Sequence, residues 1–313
     1  MSRPAEDPTF PPPAPEKTGW PWIAAPVINP PTLPVGASWP RITIVTPLYN
    51  QAQYIEATIR SAILQGYPNL EMIVIDDSST DNGLEVVKRY AAWVRIISRP
   101  RGSQNNALNH GFRLATGDLI AWQNSDDLFA PNSLFEGASA ALLHPEAAII
   151  HGRTKCFWDH DVSGPYSQEV CEDFSLEAMV NRMCIMNQSM LFRKRVFEDG
   201  CFLREEMRYV GDQELFWRLA IRGYRFQLAP AMIGLYRWHR ESITFSPRNI
   251  VASDRESFTM MRELFGNRRL PLRVRCLIQS RLRKSFINSF AHCRRNILYK
   301  LVPELIKPLR SHS

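Results

Sequence analysis

Asp76-Asp77 and Asp126-Asp127 are two pairs of adjacent carboxylates, each placed directly or nearly directly after a short apolar run. The runs are Met72-Ile73-Val74-Ile75 and Leu119-Ile120-Ala121-Trp122, and both read as buried strands. Open α/β sheets bind ligands in the crevice outside the carboxyl ends of their strands. Two acidic pairs meeting in one crevice repel each other unless positive charge lies between them. A divalent cation shared with phosphate oxygens meets that need, because magnesium and manganese take oxygen ligands and often share one or two carboxylates with a diphosphate. The structural alternative is that each aspartate caps a helix or closes a turn. One pair alone favours that alternative; two pairs at alternating strand ends favour a site.

Other phosphate chemistry is excluded by motif. The chain holds no G-x-G, so the dinucleotide fingerprint is missing, and no G-x-x-x-x-G-K-[ST]. It also lacks H-E-x-x-H and G-x-S-x-G, which removes the common zinc peptidases and α/β-hydrolases. What remains is a nucleotide held by side chains and a metal.

The elements that must position these groups alternate. Ile42-Thr43-Ile44-Val45-Thr46 is a β-branched run ended by Pro47, and Ile55, Ile59, Ala62 and Ile63 follow at helical spacing. After the second strand, Leu84 to Ala92 reads as a helix, Trp93 to Ser98 as a strand, and Ala107 to Leu114 as a helix ending at Thr116-Gly117. Nearly continuous apolar strands alternating with helices predict an α/β fold with a mostly parallel sheet covered on both faces. Further on, 147–150, 154–158, 189–192 and 232–238 read as strands and 212–221 as a helix.

Five ordered motifs resemble family 2 glycosyltransferases with the GT-A fold. They are Ile42 to Asn50, Ile73 to Asp81, Gln104 to Phe112 with Ala115-Thr116-Gly117-Asp118, Trp122 to Asp127, and Gly211-Asp212-Gln213-Glu214-Leu215-Phe216-Trp217-Arg218-Leu219. The resemblance covers roughly 41–244 and implies an inverting transferase that uses a nucleotide-sugar donor, expected to be a UDP-sugar, with Mn2+ or Mg2+. It implies that Thr46, Pro47, Tyr49 and Asn50 line the nucleotide pocket. Asp77 holds the base while Asp76 supports its turn, and Gln104 and Asn109 approach the nucleotide and donor sugar. Asp126 and Asp127 fill the D-x-D position, contacting ribose and metal, with the metal resting on Asp127 helped by Asp126. Asn124 stands where that motif has its first acidic residue. Asp212 falls at the position of the catalytic base; in isolation it also reads as a helix N-cap, and Glu214 is a weaker candidate base. His239 is either a further metal ligand or a strand-end histidine. Two rival readings keep the same residues: a non-catalytic nucleotide- or glycan-binding subunit, and a nucleotidyltransferase that would release pyrophosphate.

The chain has 313 residues, 45% hydrophobic and 22% charged, which excludes wholesale disorder. The first 40 residues hold 12 of the 23 prolines and read as an extended arm, laid over the body through Trp20, Trp22 and Trp39. The transferase domain is expected over 41–245 and a basic helical extension over 246–313. Net charge is +7, yet 262–310 alone carries 13 Lys/Arg against two Glu, leaving the rest net negative. That disfavours a nucleic-acid partner. The basic segment either touches an anionic membrane, with a glycan or lipid-linked acceptor in surface-polysaccharide assembly, or packs on the domain. No apolar run approaches a membrane span, and the start lacks a signal-peptide core, so the expected location is cytoplasmic or peripheral to the plasma membrane's inner face. The six cysteines form no C-x-x-C and read as buried thiols.

Overall fold

The computed structural model describes residues 10–23, 33, 36, 38–159, 169–170, 172–175, 178–179, 184–239, 242 and 247–265. Contacts divide the chain into two compact units, 1–239 and 240–313. The first half of the larger unit alternates as the periodicity predicts: β1 (Ile42–Leu48), α1 (Ala52–Ile63), β2 (Leu70–Asp76), α2 (Gly83–Lys88), β3 (Val94–Ser98), α3 (Gln104–Leu114) and β4 (Leu119–Trp122). These four strands pair in parallel in the order β3-β2-β1-β4. Every residue of β1 and of β4 is buried, as strands covered on both faces require.

The second half extends the same sheet with mixed direction. It comprises β5 (Leu128–Phe129), α4 (Ser133–Leu143), β6 (Ile149–Trp158), β7 (Glu169–Val170), a 3-10 turn at Asn187–Ser189, β8 (Met190–Arg193), α5 (Arg195–Glu198), α6 (Gly211–Ile221) and β9 (Phe226–Trp238). The sheet continues β4-β8-β6-β9-β5, with β8 antiparallel to β4 and β6, β6 parallel to β9, and β5 antiparallel to β9. Two strands read from the sequence, 147–150 and 154–158, are one strand. Polar His151-Gly152-Arg153 does not end it, because the pairing with β9 shifts register there. A β-carbon on Gly152 would lie 2.2 Å from the Ile233 side chain, so only glycine fits this bulge.

The described residues of the arm pack on the core of this unit. Phe10 packs edge-on against Tyr90 and Trp93, and Trp39 against Tyr67 and Phe135. Trp20 and Trp22 lie against Ala57, Leu128, Ala130, Phe157 and Leu235. Cys156, Cys184 and Cys201 are buried free thiols. In the second unit the described residues form α7 (Pro247–Phe265), which buries Met260, Met261 and Phe265. The basic segment beyond it lies outside the described residues. Among the described residues no helix is long and apolar enough to cross a membrane.

Candidate active site

The loops after β1 and β2 are locked to each other. The Asp77 amide donates to the Leu48 carbonyl at 2.9 Å, and the Asn50 side-chain oxygen accepts from the Thr80 amide at 2.7 Å. Asn50 and Ser78 hold left-handed φ values of 50° and 62°, conformations that need surrounding support. Asp76 accepts from the Ser79 amide and closes the turn. Asp77 takes the Gly102 amide on both oxygens at 3.0 Å and faces the Arg99 guanidinium at 3.6 Å, so it also fixes the loop entering α3. Tyr49 is exposed, with the Arg101 guanidinium 3.4 Å over its ring. Pro47 pairs with Ile75 inside the sheet. Two polar groups in this corner, the Thr46 hydroxyl and Arg99 Nη1, are buried without a partner.

The second acidic pair splits into two roles. Asp127 is fully buried. Its Oδ1 accepts from the Arg237 amide at 2.9 Å, and its Oδ2 accepts from Gln188 at 2.8 Å and Asn124 at 3.1 Å. Burial, and then the neighbouring charge of Asp126, raise the Asp127 carboxyl well above the ordinary carboxylate range. Asp127 therefore ties the loop to β9 and to the 3-10 turn, with both of its oxygens engaged by N–H donors. Asp126 is partly exposed and stands 2.9 Å from His239 Nε2. His239 is 4% exposed, lies with its ring tilted against that of Tyr54 of α1 at 4.7 Å between centroids, and its Nδ1 is buried without a partner. Arg237 donates to the Asp126 carbonyl at 2.7 Å and pairs with Asp159 at 2.9 Å. From the other side, the Thr58 hydroxyl of α1 lies 2.8 Å from the carbonyls of both Ser125 and Asp127. Among the described residues no group of three or more His, Cys, Asp or Glu is arranged to hold a metal.

The third part of the site hangs on α3. Gln104 donates to the Asn124 oxygen at 2.9 Å, which joins α3 to the acidic loop. Asn105 donates to the carbonyls of Arg204 and Met207, each at 2.8 Å. Asn109, 1% exposed, donates to the Leu203 carbonyl and accepts from the Leu203 amide, both at 2.9 Å. Its side-chain amide is engaged on this segment through Leu203 and Glu205. The segment leads into α6, whose first residue, Gly211, sits so close to Asn105 that a β-carbon would lie 2.4 Å from its amide nitrogen. Asp212 is the second residue of α6 and not its N-cap, which is Val210; it is half-buried and accepts from the Gln213 amide at 2.8 Å. Glu214 is 1% exposed and bound through both oxygens by Arg218 at 2.8 Å, leaving it no access to a substrate proton.

Sequence reasoning misses Thr58, Arg237, Gln188 and Asn105. Thr58 and Arg237 stand among mixed polar and apolar neighbours, where nothing in spacing singles them out. The amides of Asn105 and Asn109 stand four apart on one helix face, a spacing that does mark a shared partner.

The described family Glycosyl transferase family 2 matches residues 43–203. A putative glycosyltransferase of Bacillus subtilis, EpsE, is 28% identical over 227 residues, covering 69% of this chain and 79% of that protein. The glycosyltransferase GlyG of Streptococcus pneumoniae is 26% identical over 231 residues, covering 72% and 74%. A Rickettsia felis protein described as an uncharacterized glycosyltransferase is 34% identical over 103 residues, which is 32% of this chain but only 17% of that longer protein. Among solved structures, S. aureus TarS 1-349 in complex with UDP-GlcNAc superposes with a TM-score of 0.63 at 17% identity over 86% of this chain and 76% of that one. The mannosyltransferase PcManGT of Pyrobaculum calidifontis, in complex with GDP-Man and Mn2+, gives 0.60 at 17% identity over 86% and 78%. These likenesses identify the fold as GT-A, with its curled mixed sheet. By its ordered motifs, its sheet and the family match over half its length, the chain belongs to glycosyl transferase family 2.

Proposed function

We propose that this chain transfers a sugar from a nucleoside-diphosphate donor to a hydroxyl of a glycan or lipid-linked acceptor, with inversion at the anomeric carbon. The observation that carries the reading is the position of α3. It braces the acidic loop through Gln104 and the start of α6 through Asn105, so that one rigid helix serves both Asp126 and Asp212. That arrangement suits a reaction with a donor side and an acceptor side.

In this reading the base and ribose lie against Thr46, Tyr49, Asn50 and Asp77. The unpartnered Thr46 hydroxyl and Arg99 Nη1 are groups a nucleotide would satisfy. TarS and PcManGT were solved with UDP-GlcNAc and GDP-Man, and a uridine nucleotide is the first candidate here. Asp126 and His239 fit a divalent cation completed by donor phosphates, since such sites commonly use only one or two protein carboxylates. A bound cation would offset the charge growing on the leaving diphosphate. Asp212 takes the proton of the acceptor hydroxyl as its oxygen attacks the anomeric carbon; the bond from that carbon to the diphosphate oxygen breaks, and the nucleoside diphosphate departs. Arg237 holds the Asp126 backbone while this happens.

The test is Asp212→Asn in full-length protein. Losing a positioned general base should slow transfer by about 100- to 10,000-fold. The melting-temperature rise given by UDP with Mn2+ should persist, because the base lies on the acceptor side. Near-normal transfer would overturn the assignment of the base. A wild-type protein whose melting temperature responds to no nucleoside diphosphate, with or without Mn2+, would overturn the donor reading. Release of pyrophosphate instead of a nucleoside diphosphate would favour a nucleotidyltransferase.

A further inference from the structure

Arg60 of α1 is 3% exposed, and the four oxygens that accept from its guanidinium belong to carbonyls and a hydroxyl, not to a carboxylate. Its guanidinium donates to the carbonyls of Pro11 at 2.7 Å, Trp22 at 3.1 Å and Pro21 at 3.2 Å, and to the Tyr90 hydroxyl at 3.2 Å. The rings of Phe10 and Trp22 lie 5.0 and 5.7 Å from it. A buried cation that gives three of its four hydrogen bonds to one proline-rich stretch is an organiser of that stretch, because prolines lack N–H groups and the stretch has few donors of its own to satisfy its carbonyls.

What the organised stretch reaches matters for the site. Leu128–Phe129, the strand β5, directly follows Asp127 and stands at the end of the sheet. Its inner side pairs with β9. Its outer side would otherwise present an open edge. The Phe129 amide donates to the Ser61 hydroxyl at 3.0 Å, and the Phe129 carbonyl accepts from Trp20 Nε1 at 2.8 Å. Thus α1 and the arm together complete the edge that carries the acidic pair.

We infer that residues 10–23, gathered by Arg60, are a positioning element of the donor site: they close the outer edge of β5 and so fix the Asp126-Asp127 loop. Arg60 and Trp20 are positioning residues, acting through Phe129 and not on the substrate. The inference that the loop is held this way stands on the hydrogen bonds above; its effect on the cation rests on the proposed function.

The experiment uses full-length protein and two variants. Trp20→Phe keeps the ring and removes one N–H; Arg60→Met keeps the stem and removes the guanidinium. Amide hydrogen exchange should quicken in the peptide covering 124–130 in both, with α3 and α6 unchanged. The Mn2+ concentration that half-saturates UDP binding should rise about fivefold in Trp20→Phe, as the loss of one hydrogen bond allows. Unchanged exchange over 124–130 in Trp20→Phe overturns the inference, even if Arg60→Met fails to fold. Quickened exchange with unchanged Mn2+ dependence overturns the link to the donor site. If wild-type protein binds no nucleoside diphosphate, the proposed function fails, and the exchange result alone decides the role of the arm.

Discussion

Asp127 meets three N–H donors, two of them on one oxygen, so asparagine is a poor replacement for it. In either orientation an Asn amide group would point an N–H at another N–H. We expect Asp127→Asn to cost about 1–3 kcal/mol of stability, the range for a buried group left unsatisfied, read as a lowered denaturant midpoint. Glu214 offers a contrast with Asp212. Glu214→Gln breaks a pair with Arg218 and should lower the melting temperature while leaving transfer within a few-fold of wild type. A large loss of rate in a folded Glu214→Gln protein would move the base to that position. His151 gives a pH prediction. Burial holds its folded pKa down at about 4, against 6.5 when unfolded, with the charge of Asp173 opposing. Between those values the unfolded chain binds more protons, so His151 lowers stability as pH falls from 6.5 toward 4, by about 3 kcal/mol at the lower end. Asp127 acts in the opposite sense there, so the informative quantity is a difference. The stability of His151→Gln relative to wild type should rise as pH falls from 6.5 toward 4 if His151 makes this contribution, and stay constant if it does not.

At the scale of elements, α3 is the part whose loss should separate binding from turnover. Asn109→Ala removes bonds to Leu203 and Glu205 on the segment before α6. Donor affinity should stay near normal while kcat falls about tenfold or more, since small misplacement of a base is costly. Equal losses in donor binding and kcat would show that α3 fails as a whole. Strands β1, β2 and β4 are legible in the sequence because a strand buried on both faces needs an unbroken apolar run and leaves it there. The order of β8, β6, β9 and β5 is not legible. Short mixed strands such as Leu128–Phe129 carry almost no pattern, and the bulge at Gly152 looks like a turn. The site is legible as residue types, Asp76-Asp77 and Asp126-Asp127 above all. Which aspartate of the second pair faces outward is not, because that is decided by the partners Asn124, Gln188 and Arg237, two of them more than sixty residues away.

At the scale of the whole molecule, charge is the property the sequence states most firmly. A net-negative body joined to a segment with 13 Lys/Arg over 262–310 should bind anionic vesicles and not zwitterionic ones, with binding lost at high salt. Full-length protein in a vesicle-flotation assay tests this, and equal flotation on both vesicle types would remove electrostatic membrane contact. The completed edge of β5 also has a meaning in time. On a chain made from its N-terminus, Trp20 and Ser61 already exist when Phe129 emerges, so the partners of the outer side of β5 are synthesised before it. The inner side must wait for Gly234 and Leu235, about a hundred residues later. During that interval on the ribosome, the partners at hand for the strand beside the acidic loop are α1 and the proline-rich arm.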